Sequence, residues 1–147
     1  MTTWYADYVA VWDNLVTLIK ELKNTDLTHV FESTNVFYGE KYPPDNYPSC
    51  YVCPLPIPIT PLTFLSTTNY YYFDFVIVTA DSDPKQGYLT AFGLIGKIYD
   101  ALVADRGLGS TVCTLEPEQV IPNWKGLGSG VEGFWVGLRV KLTKIRA

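Results

Sequence analysis

The feature that most constrains this chain is a strict alternation of apolar and other residues near its carboxyl end, at residues 132–145. A period of two residues is typical of a β-strand that buries one face in a core. The apolar positions are Phe134, Val136, Leu138, Val140 and Leu142. The opposite positions include Trp135, Arg139 and Lys141. We therefore predict an antiparallel strand whose second face, with cations beside a tryptophan, is a candidate contact surface.

Length and charge narrow the class of protein. A chain of 147 residues can bury a core of its own, so we expect a single domain over residues 1–147. The formal net charge of −4 argues against a protein that wraps nucleic acid with a basic face. Four of the eleven basic residues lie in the last nine positions, at Arg139, Lys141, Lys144 and Arg146. The rest of the chain is therefore distinctly acidic, which favours head-to-tail charge complementarity between copies.

The sequence carries no pattern typical of targeting to a membrane. The first residues lack the basic and apolar regions of a signal peptide, and the longest strongly apolar run, at residues 75–80, is too short to span a bilayer. We expect a chain made in the cytoplasm, with reduced cysteines and no membrane partner.

Two amphipathic helices are predicted. The first covers residues 3–23, where apolar residues recur at steps of three and four. The second begins at Pro84, after Asp83 as its N-cap, and runs to about residue 104. Its predicted buried stripe comprises Tyr88, Leu89, Phe92, Ile95, Tyr99, Leu102 and Val103.

The predicted strands lie at residues 27–38, 69–80, 110–115 with an extension to 121, and 132–145. The strand at 69–80 is apolar on both faces, so we place it in the centre of the sheet. The prediction is an α+β fold with a mainly antiparallel sheet of about four to five strands and two helices packed on one face. A neighbouring subunit is a candidate to cover the second face.

Residues 39–68 contain seven prolines and form a predicted Pro-rich arm or extended hairpin. Proline excludes a helix here and removes donors from a sheet, so we expect an edge strand or a polyproline-like segment at residues 51–59. Val52, Leu55 and Ile57 make the arm too apolar for a solvated linker. The arm either wraps its own domain or lies on a neighbouring molecule.

No residue pattern predicts a catalytic, cofactor or metal site. Cys50 and Cys53 form a CxxC pair, but the prolines that follow exclude a helix, and an extended segment points the two thiols to opposite faces. We interpret both as buried, inert thiols. His29 has no nucleophile motif beside it and is interpreted as a structural residue of the first strand. The glycine-rich loop at residues 123–130 leads into a strand rather than a phosphate-binding helix.

The order of elements resembles that of the tail terminator and tail-completion proteins of long-tailed bacteriophages. The segments that carry the resemblance are YPSCYVCP at residues 47–54, VIVT at 76–79, IYDAL at 98–102, LG at 108–109, EP at 116–117 and the final strand. The resemblance implies a non-enzymatic virion protein that forms a homo-oligomeric ring, usually of six copies. Such a ring caps the tail tube and faces the head connector, and DNA passes through its lumen without sequence-specific binding.

In such a ring we expect the basic final strand and the arm to lie at the subunit interface. Arg139 and Lys141 are predicted to meet acids of the same or the next copy. The predicted interface residues are Trp135, Arg139, Lys141, Asp74, Glu118, Val52, Leu55 and Ile57. Other readings remain open at this point: a head-side connector or stopper ring, a small-molecule-binding domain or enzyme, or an adaptor that binds extended peptides by strand addition.

Overall fold

The computed structural model describes residues 3–39, 46–57, 67–109, 114–123 and 133–146. The predicted glycine-rich loop (124–130), most of the proline-rich arm, Cys113 and the start of the predicted 110–115 strand lie outside the described residues. The described elements are helices α1 (Thr3–Glu21) and α2 (Pro84–Ala104) and strands β1 (Val36–Tyr38), β2 (Ser49–Pro54), β3 (Thr67–Thr79), β4 (Thr114–Pro122) and β5 (Phe134–Arg146).

The five strands form one sheet in the order β1-β2-β3-β5-β4. Only the β1–β2 pair is parallel; the other three pairs are antiparallel. The predicted α+β class with a mainly antiparallel sheet is therefore confirmed. Strand β3 lies in the centre, as its two apolar faces predict, and pairs with β5 along its whole length.

Both helices pack on one face of the sheet, as predicted. Their apolar stripes and the alternate residues of the strands form the main core, which contains Leu15 and Ile19 of α1, Ile95 of α2, Phe73 of β3 and Val140 of β5. The indole Nε1 of Trp12 donates a hydrogen bond to the Val52 carbonyl at 3.0 Å, which ties α1 to β2. The alternation predicted for the final strand is confirmed, because its even-numbered residues from 136 to 142 are buried in this core.

The predicted first strand at residues 27–38 is wrong over most of its length. A strand forms only at Val36–Tyr38, after a 3-10 turn at Ser33–Asn35. Leu27 has a φ of 69°, a left-handed conformation that is incompatible with an extended strand. His29 accordingly lies in an exposed loop rather than on a strand, with its Nδ1 3.0 Å from the Lys20 carbonyl oxygen.

The prediction of an edge strand in the arm is also wrong for the part that the structure describes. Strand β2 lies between β1 and β3, and five of its six residues are buried. The prolines leave this pairing intact because they fall just before β2, at Pro48, and at its end, at Pro54. The strand interior therefore keeps its N–H donors.

The buried stripe of α2 is rotated from the predicted one. Its buried residues are Gly87, Ala91, Ile95, Ile98 and Leu102. Small residues at two of these positions let the helix lie close to the sheet; a Cβ on Gly87 would come 2.2 Å from the ring of Phe134. The predicted N-cap is confirmed, since the Asp83 side chain accepts a hydrogen bond from the Lys85 backbone N–H at 3.1 Å.

Candidate self-assembly surface

Rotation of the α2 stripe leaves large apolar side chains on the flank of the helix that faces strand β4. Leu89 is 51% exposed, Phe92 41% and Tyr99 46%. Val120 of β4, two residues before the Pro122 that lines a groove with Leu89 and Phe92, is 45% exposed. These four are among the seven large hydrophobic residues that are exposed in the described part of the chain. We call Leu89, Phe92, Tyr99 and Val120, with Tyr88 and Pro122, the apolar ledge.

The ledge contains a groove between α2 and the end of β4. Its volume is about 430 Å³, and its lining is Lys85, Tyr88, Leu89, Phe92, Pro122 and Asn123. The Tyr88 hydroxyl donates a hydrogen bond to the Asn123 side-chain oxygen, which fixes one end of the groove. The rings of Tyr88 and Phe92 are stacked, with centroids 6.3 Å apart. The groove is thus an aromatic surface with one cation at its rim.

Strand β4 also forms an edge of the described sheet, because β5 is its only partner among the described strands. An edge strand presents N–H and C=O groups that can pair with another chain. Two exposed carboxylates, Glu116 and Glu118, lie on this strand. A register shift between Pro117 and Gln119 bulges β4 at this point. An edge strand and exposed apolar side chains therefore lie on one side of the molecule, while the bulge, Pro117 and the two carboxylates limit backbone pairing along β4.

The structure places Arg139 and Asp74 opposite each other on β5 and β3 of the same chain. The Arg139 Nε donates to Asp74 Oδ1 at 2.9 Å, and Nη2 donates to Oδ2 at 3.0 Å. The Asp74 side chain is 0% exposed and that of Arg139 is 32% exposed. The hydrogen bond to Asp74 raises the pKa of Arg139, with a smaller contribution from the charge of Glu118. Arg139 therefore pairs with a carboxylate of its own chain.

A cleft of about 370 Å³ lies over this ion pair, lined by Leu55, Asp74, Gln119, Ile121, Pro122, Asn123 and Arg139. Both hydrogen bonds from Arg139 to Asp74 run along the base of the cleft, so these two ionisable groups satisfy each other. The chemistry offered to a ligand is a half-covered guanidinium and two side-chain amides.

Trp135 and Val52 lie in the interior of the chain. Trp135 belongs to a second buried cluster on the face of the sheet opposite the helices, where its ring centroid lies 5.7 Å from that of Tyr51. The other members are Cys53, Val76 and Val78, with Phe37 packed against them. A neighbouring subunit was the candidate to cover this face, but the cluster is already buried within one chain. Val52 is buried in the main core.

The other predicted interface residues remain partly accessible. Lys141 is half-buried, with its Nζ 4.6 Å from the ring centroid of Tyr70, a cation–π contact. Leu55 and Ile57 are half-buried at the end of β2, and Glu118 is exposed on β4. Of the eight predicted residues, the structure brings Asp74, Arg139 and Glu118 close together, with Leu55 at the same cleft.

Sequence reasoning missed the ledge because it assigned Leu89, Phe92 and Tyr99 to the buried stripe of α2. The signal that could have placed them outside is the series Gly87, Ala91, Ile95, Ile98 and Leu102, which also has helical spacing. Two overlapping stripes make a helix apolar over more than half of its circumference, and only one stripe can face the sheet.

The two cysteines of the CxxC pair are buried, as predicted, and point to opposite faces of β2. Burial raises the pKa of the Cys50 thiol well above its ordinary value, and the charge of Cys53 adds to this effect. No cluster of three or more metal-ligating side chains occurs within the described ranges. Neither described helix is long and apolar enough to cross a membrane.

A search of known protein families and of curated proteins found no match to this chain.

Proposed function

We propose that this chain is a non-enzymatic structural protein of a bacteriophage virion, a tail terminator that assembles into a hexameric ring. In this proposal the ring caps the tail tube, joins it to the head connector, and lets DNA pass through its lumen. The order of elements supports the family, and the exposed apolar ledge beside β4, an edge strand of the described sheet, is the observation that carries self-assembly.

The ledge supports self-assembly because exposed apolar patches commonly mark interaction sites, and Leu89 and Phe92 line one groove with Tyr88 and Pro122. Leu89, Phe92, Tyr99 and Val120 are each more than two fifths exposed. The described sheet also has two different edges, β4 on one side and β1 on the other. A contact between two different surfaces of identical subunits is heterologous, and repeated contacts of this kind close into a ring or extend into a filament.

The charge of the chain supports a conduit for DNA. The net charge is −4, and the exposed carboxylates of β4 add negative charge beside the ledge. An acidic wall repels phosphate, so DNA would pass without binding. The same charge disfavours sequence-specific recognition, which needs cations at the backbone.

A head-side connector or stopper ring would use the same ledge and remains the alternative within this class. A second class is an adaptor that binds an extended peptide along β4, which the position of that strand at the edge of the described sheet favours. A small-molecule-binding domain would use the cleft over Arg139. The adaptor and the small-molecule-binding domain differ from the tail terminator in oligomeric state, because neither requires a ring.

Light scattering after size-exclusion chromatography, with negative-stain imaging of the same fractions, tests the proposal. We expect a hexamer-like mass and particles with a central opening, alone or after addition of tail tube protein. Phe92→Glu should reduce the mass to that of a monomer, because it places a carboxylate on the ledge. Thr90→Glu, on an exposed part of the same helix, is the matched control and should leave the ring intact. A monomer that binds neither itself nor tail tube protein would contradict the proposal.

A further inference from the structure

We propose that the apolar ledge of one copy receives the β1 edge of a second copy. In this contact the ring of Tyr38 packs against Leu89 and Phe92, and the carboxylate of Asp13 faces the ammonium of Lys85. The inference rests on the proposed self-assembly and names the two surfaces that meet.

Tyr38 is a preformed aromatic projection on the edge of the sheet farthest from the ledge. It is 51% exposed, although Trp12 packs edge-on against its ring with centroids 5.4 Å apart. Its hydroxyl donates a hydrogen bond to Asp13 Oδ1 at 2.9 Å. Desolvation raises the pKa of Tyr38, and the bond to Asp13 adds to this effect. The edge therefore presents a held aromatic ring with a negative charge at its tip.

The lining of the groove suits this projection in polarity and charge. Its walls are the aromatic and aliphatic side chains of Tyr88, Leu89 and Phe92, and Lys85 is the one charged residue among the described residues that line it. An aromatic ring gains both buried area and ring–ring contact in such a groove. A carboxylate beside the ring gains a cation at the rim.

The Tyr38 that fills the groove must come from another copy. Strands β1 and β4 lie four strand spacings apart in the sheet, about 19 Å at the usual spacing of about 4.8 Å. A tyrosine side chain cannot cross that distance. The contact is consequently heterologous, with the ledge of each copy filled by the next. A two-fold contact of α2 with α2 is the competing arrangement.

Charge exchange tests the pairing of Asp13 with Lys85. Lys85→Glu and Asp13→Lys should each weaken association about 10-fold or more, since each places like charges in contact. The double variant restores opposite charges with the signs exchanged, and we expect it to regain most of the lost affinity. Asp100→Lys, also on an exposed position of α2, is the control for general charge effects. Failure of the double variant to regain affinity would overturn the pairing.

Disulfide trapping tests the contact of Tyr38 with Phe92. Tyr38→Cys and Phe92→Cys are made separately in a chain that carries Cys113→Ser and are mixed in oxidising buffer. Cys50 and Cys53 are buried and should not compete. We expect a covalent dimer in the mixture and little in either variant alone, with circular dichroism confirming that both variants are folded.

The outcomes separate this inference from the proposed function. A dimer in Phe92→Cys alone would show a two-fold contact and overturn the inference. A ring by mass and imaging with no trapped dimer in the mixture would also overturn the inference but leave the proposed function in place. A monomer in every measurement on the unmodified chain would overturn both.

Discussion

The ion pair between Asp74 and Arg139 should be the most sensitive polar contact in the fold. Arg139→Met keeps most of the apolar stem but removes both hydrogen bonds to a carboxylate that is 0% exposed. Removing one partner of a buried ion pair costs about 3–5 kcal/mol, because the other charge is left uncompensated. We take the lower end, about 3 kcal/mol, because about a third of the Arg139 side chain is exposed and water can reach the site. For a domain of this size that loss corresponds to a fall in Tm of about 6–12 °C.

The assay is thermal and urea unfolding at a fixed protein concentration, because self-association makes the transition depend on concentration. Lys144→Met is the matched control. It removes an ion pair whose carboxylate is less deeply buried, since Lys144 Nζ lies 3.4 Å from Asp7 Oδ1 and the Asp7 side chain is 13% exposed, and it should cost about 1 kcal/mol or less. The double variant Asp74→Leu with Arg139→Met should be more stable than Arg139→Met alone, because it removes the buried carboxylate together with its cation. Equal losses of unfolding free energy in Arg139→Met and Lys144→Met would show that the burial of Asp74 does not make its ion pair more costly to break. The Arg139→Met variant also bears on ring assembly, because loss of Arg139 is expected to destabilise the fold of each subunit before it affects contacts between subunits.

Three further predictions concern helix α2 and the buried thiol of Cys50. Gly87→Ala should destabilise the fold by about 1–3 kcal/mol, because its Cβ would meet the Phe134 ring. Gly93→Ala, where a Cβ would have no atom within 4 Å, should instead stabilise α2 by about 0.5–1 kcal/mol. Equal effects of the two variants in urea unfolding would count against the described packing of α2. Asp83→Ala should cost about 1 kcal/mol through loss of the N-cap hydrogen bond, and an unchanged urea midpoint would contradict this role. Cys50 should resist alkylation in the native chain, because its thiol is buried and the pKa of that thiol is raised. Peptide mapping after alkylation measures this. Rapid alkylation of Cys50 in the folded chain would contradict the described burial.

Local patterns predicted the elements that have a long, unambiguous period. The final strand, the central strand and α2 were all placed within a few residues of their observed bounds. Asp83 and Pro84 located the start of α2, because an N-cap and a proline at the first turn act through neighbouring atoms only. These are contacts between residues close in sequence, so the sequence contains what is needed to predict them.

The strand pairing of the arm depended on residues far apart in sequence. Ser49–Pro54 pairs with β1 on one side and β3 on the other, and proline content alone suggested an edge. Whether a proline breaks a ladder depends on where it falls relative to that ladder, and here Pro48 precedes the strand and Pro54 ends it. The strand predicted at residues 27–35 was wrong for a related reason. Its β-branched and aromatic residues favour a strand, but Leu27 has a left-handed conformation and residues 33–35 form a 3-10 turn.

For the candidate site, the residue types can be read from the sequence, whereas their positions relative to one another depend on how the chain packs. The residue types are those of an acidic chain with abundant aromatic residues, a basic final strand and no pattern of catalytic or metal-ligating residues. The structure turned Leu89, Phe92 and Tyr99 outward and directed Arg139 to Asp74 of its own chain. The physical reason is that an apolar stripe or a charge defines which partners are favourable, whereas packing against the sheet selects the one partner that is within reach. Close approach of α2 at Gly87 and Ala91 fixed the rotation of that helix, and this rotation created the ledge on which self-assembly is proposed to depend.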